Sequence, residues 1–166
     1  GAGLGVCGFL LHHLLLRVVT ESDDKPKTRL FLTDGDTEAL KFLRKNAVKN
    51  GVMPSTESDK QFKVQSAVRQ LLWGRDTAKA FREQLQQQST TASSKPFDLI
   101  FASDIIYAPQ VLEPLWETLD EFLSTQGGKF VLAFAKRQVP VQLEDVLRTS
   151  KEAGFTTTTT TFEPNG

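Results

Sequence analysis

Apolar positions along the chain switch between helical and strand spacing, and the switches divide it into elements. Gly1-Ala2-Gly3-Leu4-Gly5 carries glycines at alternate positions, a pattern that allows a tight turn and close approach of backbone to a ligand. Val6 to Val19 is apolar nearly all round and predicts a buried helix. Thr20 to Lys27 is polar, holds Pro26 and reads as a loop. Arg29 to Thr33 predicts a strand that ends at Asp34-Gly35-Asp36. Asp36 or Thr37 can cap a helix running to about Lys49, with Ala39, Leu40, Leu43 and Ala47 on one face and Asn50-Gly51 as its stop. Met53 to Gln61 is a polar connector, and Phe62 to Val68 alternates as an edge or half-buried strand does.

Leu71-Leu72-Trp73-Gly74 leads into a helix from about Asp76 to Gln87. Gln86 to Lys95, Q-Q-Q-S-T-T-A-S-S-K, is low in complexity and predicts a flexible surface insertion. Phe97 to Pro109, F-D-L-I-F-A-S-D-I-I-Y-A-P, is the stretch around which the rest is arranged. Leu99 to Ala102 reads as one buried strand, and Ser103-Asp104 stops it, because a carboxylate is costly to bury without a partner. Leu112, Leu115, Trp116, Leu119 and Leu123 then recur at helical spacing, with Trp116 as core. Gly127-Gly128 precedes a buried strand from Lys129 to Ala135, closed by Lys136-Arg137. Leu143 to Ala153 is a last helix stopped by Gly154, and the threonine run of Phe155 to Phe162 favours a strand by its β-branching. Helix and strand alternate throughout, so the fold class is α/β: a doubly wound, mostly parallel sheet with helices on both faces, in a single domain over residues 1–166.

Such a sheet binds ligands beyond the carboxyl ends of its strands. The glycine loop, Asp34 and Ser103-Asp104 are all predicted at that edge. A glycine loop running into a helix amino end offers N–H donors to an anion, and Gly3, Gly5 and Gly8 also fit the dinucleotide fingerprint G-x-G-x-x-G. A carboxylate at Asp34 can accept both hydroxyls of a ribose, or serve simply as an acid near a helix amino end. Trp73 can wall a purine or pack in the core.

Composition narrows the class. With 20 basic and 20 acidic residues the formal net charge is zero, so no overall field draws the chain to nucleic acid or to an acidic membrane. A single cysteine, Cys7, excludes an intrachain disulfide and a cysteine-rich zinc site and reads as a buried small hydrophobe. His12 and His13 lack a partner at the spacing of a helical metal site, and no metal is expected. The Val6 to Val19 run is too short to span a bilayer and lacks a signal-peptide pattern, which points to a reducing setting, cytoplasmic or nuclear.

An adenosine cofactor leaves two chemistries. Hydride transfer needs a pyrophosphate cradle and a proton donor, and no histidine follows His13. Methyl transfer needs alignment of an attacking lone pair with an already activated carbon. Asp104 and Tyr107 can hydrogen-bond and orient a neutral amine for that.

Taken together and in order, G-A-G-L-G at 1–5, L-T-D-G-D at 32–36, L-L-W-G at 71–74, F-D-L-I-F-A-S-D-I-I-Y at 97–107 and V-L-A-F-A-K-R at 131–137 resemble the class I (seven-strand) S-adenosylmethionine-dependent methyltransferases. More narrowly they resemble protein-lysine methyltransferase family 16. The resemblance implies a Rossmann-like methyltransferase fold, S-adenosyl-L-methionine as cofactor, and a lysine of a protein as acceptor, in a cytoplasmic, monomeric enzyme that needs neither membrane nor nucleic acid. By motif, Gly1, Ala2 and Gly3 would hold the methionine part of the cofactor, Asp34 the ribose, Trp73 the adenine, and Ala102 would touch the cofactor from a strand end. Asp104 and Tyr107 match the family's D-x-x-Y motif, linked to lysine positioning and catalysis. Relative to that pattern the strand before the glycine loop is missing and the last strand looks short; taken as starting at Gly1, the chain is expected to bind cofactor weakly. Three other readings stay open: amino methylation of nucleic acid, for which Ile105-Ile106 replace the usual prolines; methylation of a small molecule; and a non-catalytic binding module.

Overall fold

A computed structural model describes residues 1–18, 28–53, 64–87, 96–135 and 140–162. Two compact units divide the chain, Gly1–Leu72 and Trp73–Gly166. Five α-helices and four strands alternate among the described residues, and both strand pairs are parallel.

In the first unit α1 (Val6–Val18) precedes β1 (Thr28–Asp34), α2 (Thr37–Lys49) and β2 (Val64–Gln70). β1 and β2 pair in parallel from Thr28↔Val64 to Asp34↔Gln70. The pleat sends Leu30, Leu32, Val64 and Val68 to one face, where they join Phe9 of α1 and Leu40, Leu43 and Ala47 of α2 in one buried cluster. Helix α2 starts where the sequence predicts, with the Asp36 side chain accepting from Ala39 N at 2.7 Å, and Gly51 takes φ +65° just beyond its end.

Helix α1 departs from expectation. It buries one stripe, Gly8, Phe9 and His12, while Val6, Leu10, Leu14 and Val18 on another stripe are exposed. Composition alone read it as buried all round; the two strands of this unit cover only one side of it. Gly8 is the point of closest approach. A Cβ there would overlap Leu32 Cδ2 and stand 3.1 Å from Leu32 Cγ, and Leu32 is only 3 % exposed. Gly8→Val is expected to destabilise the fold by about 2 kcal/mol, as overpacking a tight core does. A urea midpoint equal to that of the unaltered protein would contradict the close packing.

The second unit runs α3 (Arg75–Gln87), β3 (Leu99–Ser103), a 3₁₀ turn (Pro109–Val111), α4 (Leu112–Phe122), β4 (Lys129–Ala133) and α5 (Leu143–Glu152). β3 and β4 pair in parallel from Leu99↔Lys129 to Ser103↔Ala133. Both were expected to be buried, yet Leu99 and Val131 are exposed. Ile100, Ala102, Phe130 and Leu132 face the cluster built by Leu112, Leu115, Trp116 and Leu119, so the apolar runs are half-buried by the alternation of the pleat. Trp116 is core as predicted, with Nε1 donating to Thr149 Oγ1 at 2.9 Å. Arg75 and Arg82 tie α3 to α4 through Asp120 and Glu121, at 3.2 Å (Arg75–Asp120) and 3.1 Å (Arg82–Glu121).

Thr156 to Thr161 form no strand, against the sequence expectation. β-branching favours extended backbone, but a strand also needs a partner edge and a face to bury. Here the threonines are exposed, and Thr157 meets Ser150 side chain to side chain at 3.1 Å. Phe62, residues 88–95 of the low-complexity stretch, Lys136, Arg137 and the tail from Glu163 lie outside the described residues.

Candidate active site

In the first unit the glycine loop folds onto the end of β1. Gly3 and Gly5 take φ +52° and +96°, which glycine adopts without the penalty a side chain brings. Ala2 N donates to the Thr33 carbonyl at 2.6 Å, and Gly5 N to the Ala2 carbonyl at 2.9 Å. Gly3 N donates to Asp34 Oδ2 at 2.9 Å, and Asp36 N to Asp34 Oδ1 at 3.0 Å. A Cβ on Gly1 would collide with the Asp34 carboxylate, whereas one on Gly3 would meet nothing within 4 Å. Gly1, Ala2, Gly3 and Asp34 are therefore brought together, as the motif reading expects.

Two details differ from the sequence picture. The amides of Ala2, Gly3 and Gly5 are already bonded within the protein, so they are not a free anion cradle. Asp34 is also more than an acid near a helix: its carboxylate joins the loop to the start of α2. A carboxylate has about four acceptor sites. One N–H on each oxygen leaves roughly one site per oxygen, enough for a vicinal diol.

His12 is fully buried on α1, and its Nδ1 pairs with Ser66 Oγ of β2 at 2.9 Å. Its Nε2 has no hydrogen-bond partner among the described residues. Burial, helped by the neighbouring His13 charge, holds the imidazole below its ordinary pKa. The unfolded chain thus takes up this proton near pH 6.5 while the folded chain does not. His12 contributes full stability above that pH, and the contribution is lost as pH falls toward the lowered folded value. Urea midpoints should drop between pH 7.5 and 5.5, and His12→Asn, which does not titrate, should flatten that slope; an unchanged slope would remove His12 as its source. His13 is exposed, and so is Cys7, against the expectation of a buried side chain, because α1 buries only the stripe of Gly8, Phe9 and His12; no group of three or more metal-ligating side chains occurs among the described residues.

In the second unit the D-I-I-Y stretch folds by burying its middle. Ile105 and Ile106 are buried in the cluster of α4, while Asp104 stays partly accessible and Tyr107 is exposed. The anchoring isoleucines leave acid and phenol at the surface, where both line one small hollow with Leu132 and Phe134. Asp104 has φ +54°, the left-handed region, and is the one non-glycine residue described there. Its N–H donates to the Ala133 carbonyl at 3.3 Å, and Ser103 Oγ lies 3.4 Å from its Oδ2. Ala102, in register with Leu132, packs on the same cluster as the half-buried Trp73. Trp73 also borders an open concavity with Arg75, Thr77 and Glu117, and the adjacent Gly74 N is fixed by Thr118 Oγ1 at 2.9 Å. Arg75 is held charged, its pKa raised first by the hydrogen bond to Asp120.

Sequence reading missed Thr118 and Asn46, which bond backbone atoms of these stretches from helices α4 and α2. A polar residue in a helical pattern gave no signal of that. No described helix is long and apolar enough to cross a membrane. The family model described as lysine methyltransferase matches residues 1–152. Neither a curated protein nor a solved structure matches the chain.

Proposed function

The chain belongs to the lysine methyltransferase family, and from that premise we propose that it moves a methyl group from S-adenosylmethionine to the side-chain amine of a lysine in a protein. The observation that carries this reading is the seating of Asp104 and Tyr107 on one hollow, by the burial of the two isoleucines between them. The chain is a methyltransferase of Rossmann-like α/β fold.

The residues of the first unit fit an adenosyl ligand. Open space beside Gly3 leaves room for one, and the Asp34 carboxylate keeps acceptor sites for the two ribose hydroxyls. For the second unit the family resemblance assigns Trp73, half-buried, to the adenine and Ala102, a small side chain near the end of β3, to the cofactor. When bound, S-adenosylmethionine supplies a methyl carbon already activated by its sulfonium. Asp104 then accepts a hydrogen bond from the neutral amine and aims its lone pair, with the Tyr107 hydroxyl as second partner. Leu132 and Phe134 line the same hollow and offer apolar surface beside the acid and the phenol. A carboxylate here also favours an acceptor that arrives as a cation, which a lysine is and a nucleobase amine is not; the ammonium releases one proton to solvent before its lone pair attacks, and the donor sulfur leaves as a neutral thioether.

Incubating the protein with a cell lysate and methyl-labelled S-adenosylmethionine tests the acceptor. Label is expected in material destroyed by protease and untouched by nuclease, and in methyl-lysine after hydrolysis. Label in nucleic acid or in small solutes would overturn the proposal.

A further inference from the structure

Asparagine is a poorer helix former than alanine, because its amide competes for backbone hydrogen bonds. Asn46 nevertheless sits inside α2, and the packing of α2 does not need it, since the buried face is Leu40, Leu43 and Ala47. Its side chain is half-buried and reaches sideways: Nδ2 donates to the Leu4 carbonyl at 3.3 Å. Leu4 lies between Gly3 and Gly5, the two loop residues with positive φ. Peptides flanked by glycine reorient easily, so this carbonyl is the part of the loop with most freedom to lose.

We propose that Asn46 is a positioning residue for the cofactor loop. Three anchors then set the loop's shape: the Thr33 carbonyl on Ala2 N, the Asp34 carboxylate on Gly3 N, and the Asn46 amide on Leu4 O. The first two come from the end of β1 and hold the loop's first half. The third comes from α2 and holds its crest, just before the chain enters α1 at Val6. The inference rests on the reading of residues 1–5 as the stretch that holds S-adenosylmethionine. A loop released at its crest must be ordered by the ligand, so affinity falls while chemistry at saturation does not.

Two variants test this, Asn46→Ala and Asn46→Asp, each by amide hydrogen exchange and by kinetics. In Asn46→Ala the Gly5 amide, bonded to the Ala2 carbonyl, is expected to exchange about five- to tenfold faster, the scale of one lost neutral hydrogen bond. The KM for S-adenosylmethionine is expected to rise by about the same factor, with kcat at saturation unchanged within about twofold. The unfolding midpoint should stay near its original value, because the better helix former offsets the lost bond. Asn46→Asp keeps the size, loses the donor and faces a carboxylate to the Leu4 carbonyl, so it should weaken binding at least as much. Unchanged Gly5 exchange in both variants would overturn the proposal at Asn46 itself, as would kcat falling in step with the midpoint. Faster exchange with an unaltered KM would overturn it instead through the functional reading, by showing that this loop does not hold the cofactor.

Discussion

Asp34→Ala is expected to weaken S-adenosylmethionine binding by about 10²- to 10³-fold, the largest effect on affinity of any single substitution in the first unit. Two causes act together. The ribose loses two charge-assisted acceptors, each contributing about 1.5–3 kcal/mol, partly replaced by water. The loop loses the partner of Gly3 N and α2 loses the partner of Asp36 N, so the binding surface loosens as well. Asp34→Asn should fall between, at about tenfold, since it keeps one acceptor while its NH₂ faces a backbone donor. Calorimetric titration gives the dissociation constants. An Asp34→Ala protein that binds as tightly as the original would reject the ribose role.

Asp104 is expected to separate chemistry from binding. Asp104→Ala should lower methyl transfer by about 10²- to 10³-fold, the range for losing a positioned proton acceptor and the alignment it enforces. Affinity for S-adenosylmethionine should hold within about twofold, because the side chain is assigned to the amine and not to the cofactor. Backbone conformation adds a second, opposite expectation. At φ +54° an aspartate costs about 1 kcal/mol relative to glycine. Asp104→Gly should therefore unfold at higher urea than the original while being just as inactive as Asp104→Ala. Strain held at a residue for the sake of its carboxylate predicts that trade. Full activity in Asp104→Ala would remove the residue from the mechanism, and a lower urea midpoint in Asp104→Gly would remove the strain.

Most elements were legible because their signals are local. The spacing of Leu40, Leu43 and Ala47 and the stop at Asn50-Gly51 mark α2 closely, and Gly154, at φ +88°, ends α5. Asp34 and Asp104 stood out because a carboxylate at the end of an apolar run needs a reason. What failed depended on partners far along the chain. The exposed stripe of α1 and the exposed Leu99 and Val131 are apolar residues whose burial hydropathy overstated, since hydropathy does not say which neighbours a face meets. The threonine run has strand propensity and no partner edge. Asn46 carries no signal of its own in the sequence; only its contact with Leu4, 42 residues away in sequence, gives it a task.

Titrating the protein with S-adenosylmethionine and, separately, with NAD tests the central claim most directly, because both ligands carry an adenosine and only one carries an activated methyl group. Heat of binding with S-adenosylmethionine that disappears in Asp34→Ala and survives in Asp104→Ala is the predicted result. Tighter binding of NAD, or S-adenosylmethionine binding that depends on neither glycine loop nor Asp34, would contradict it.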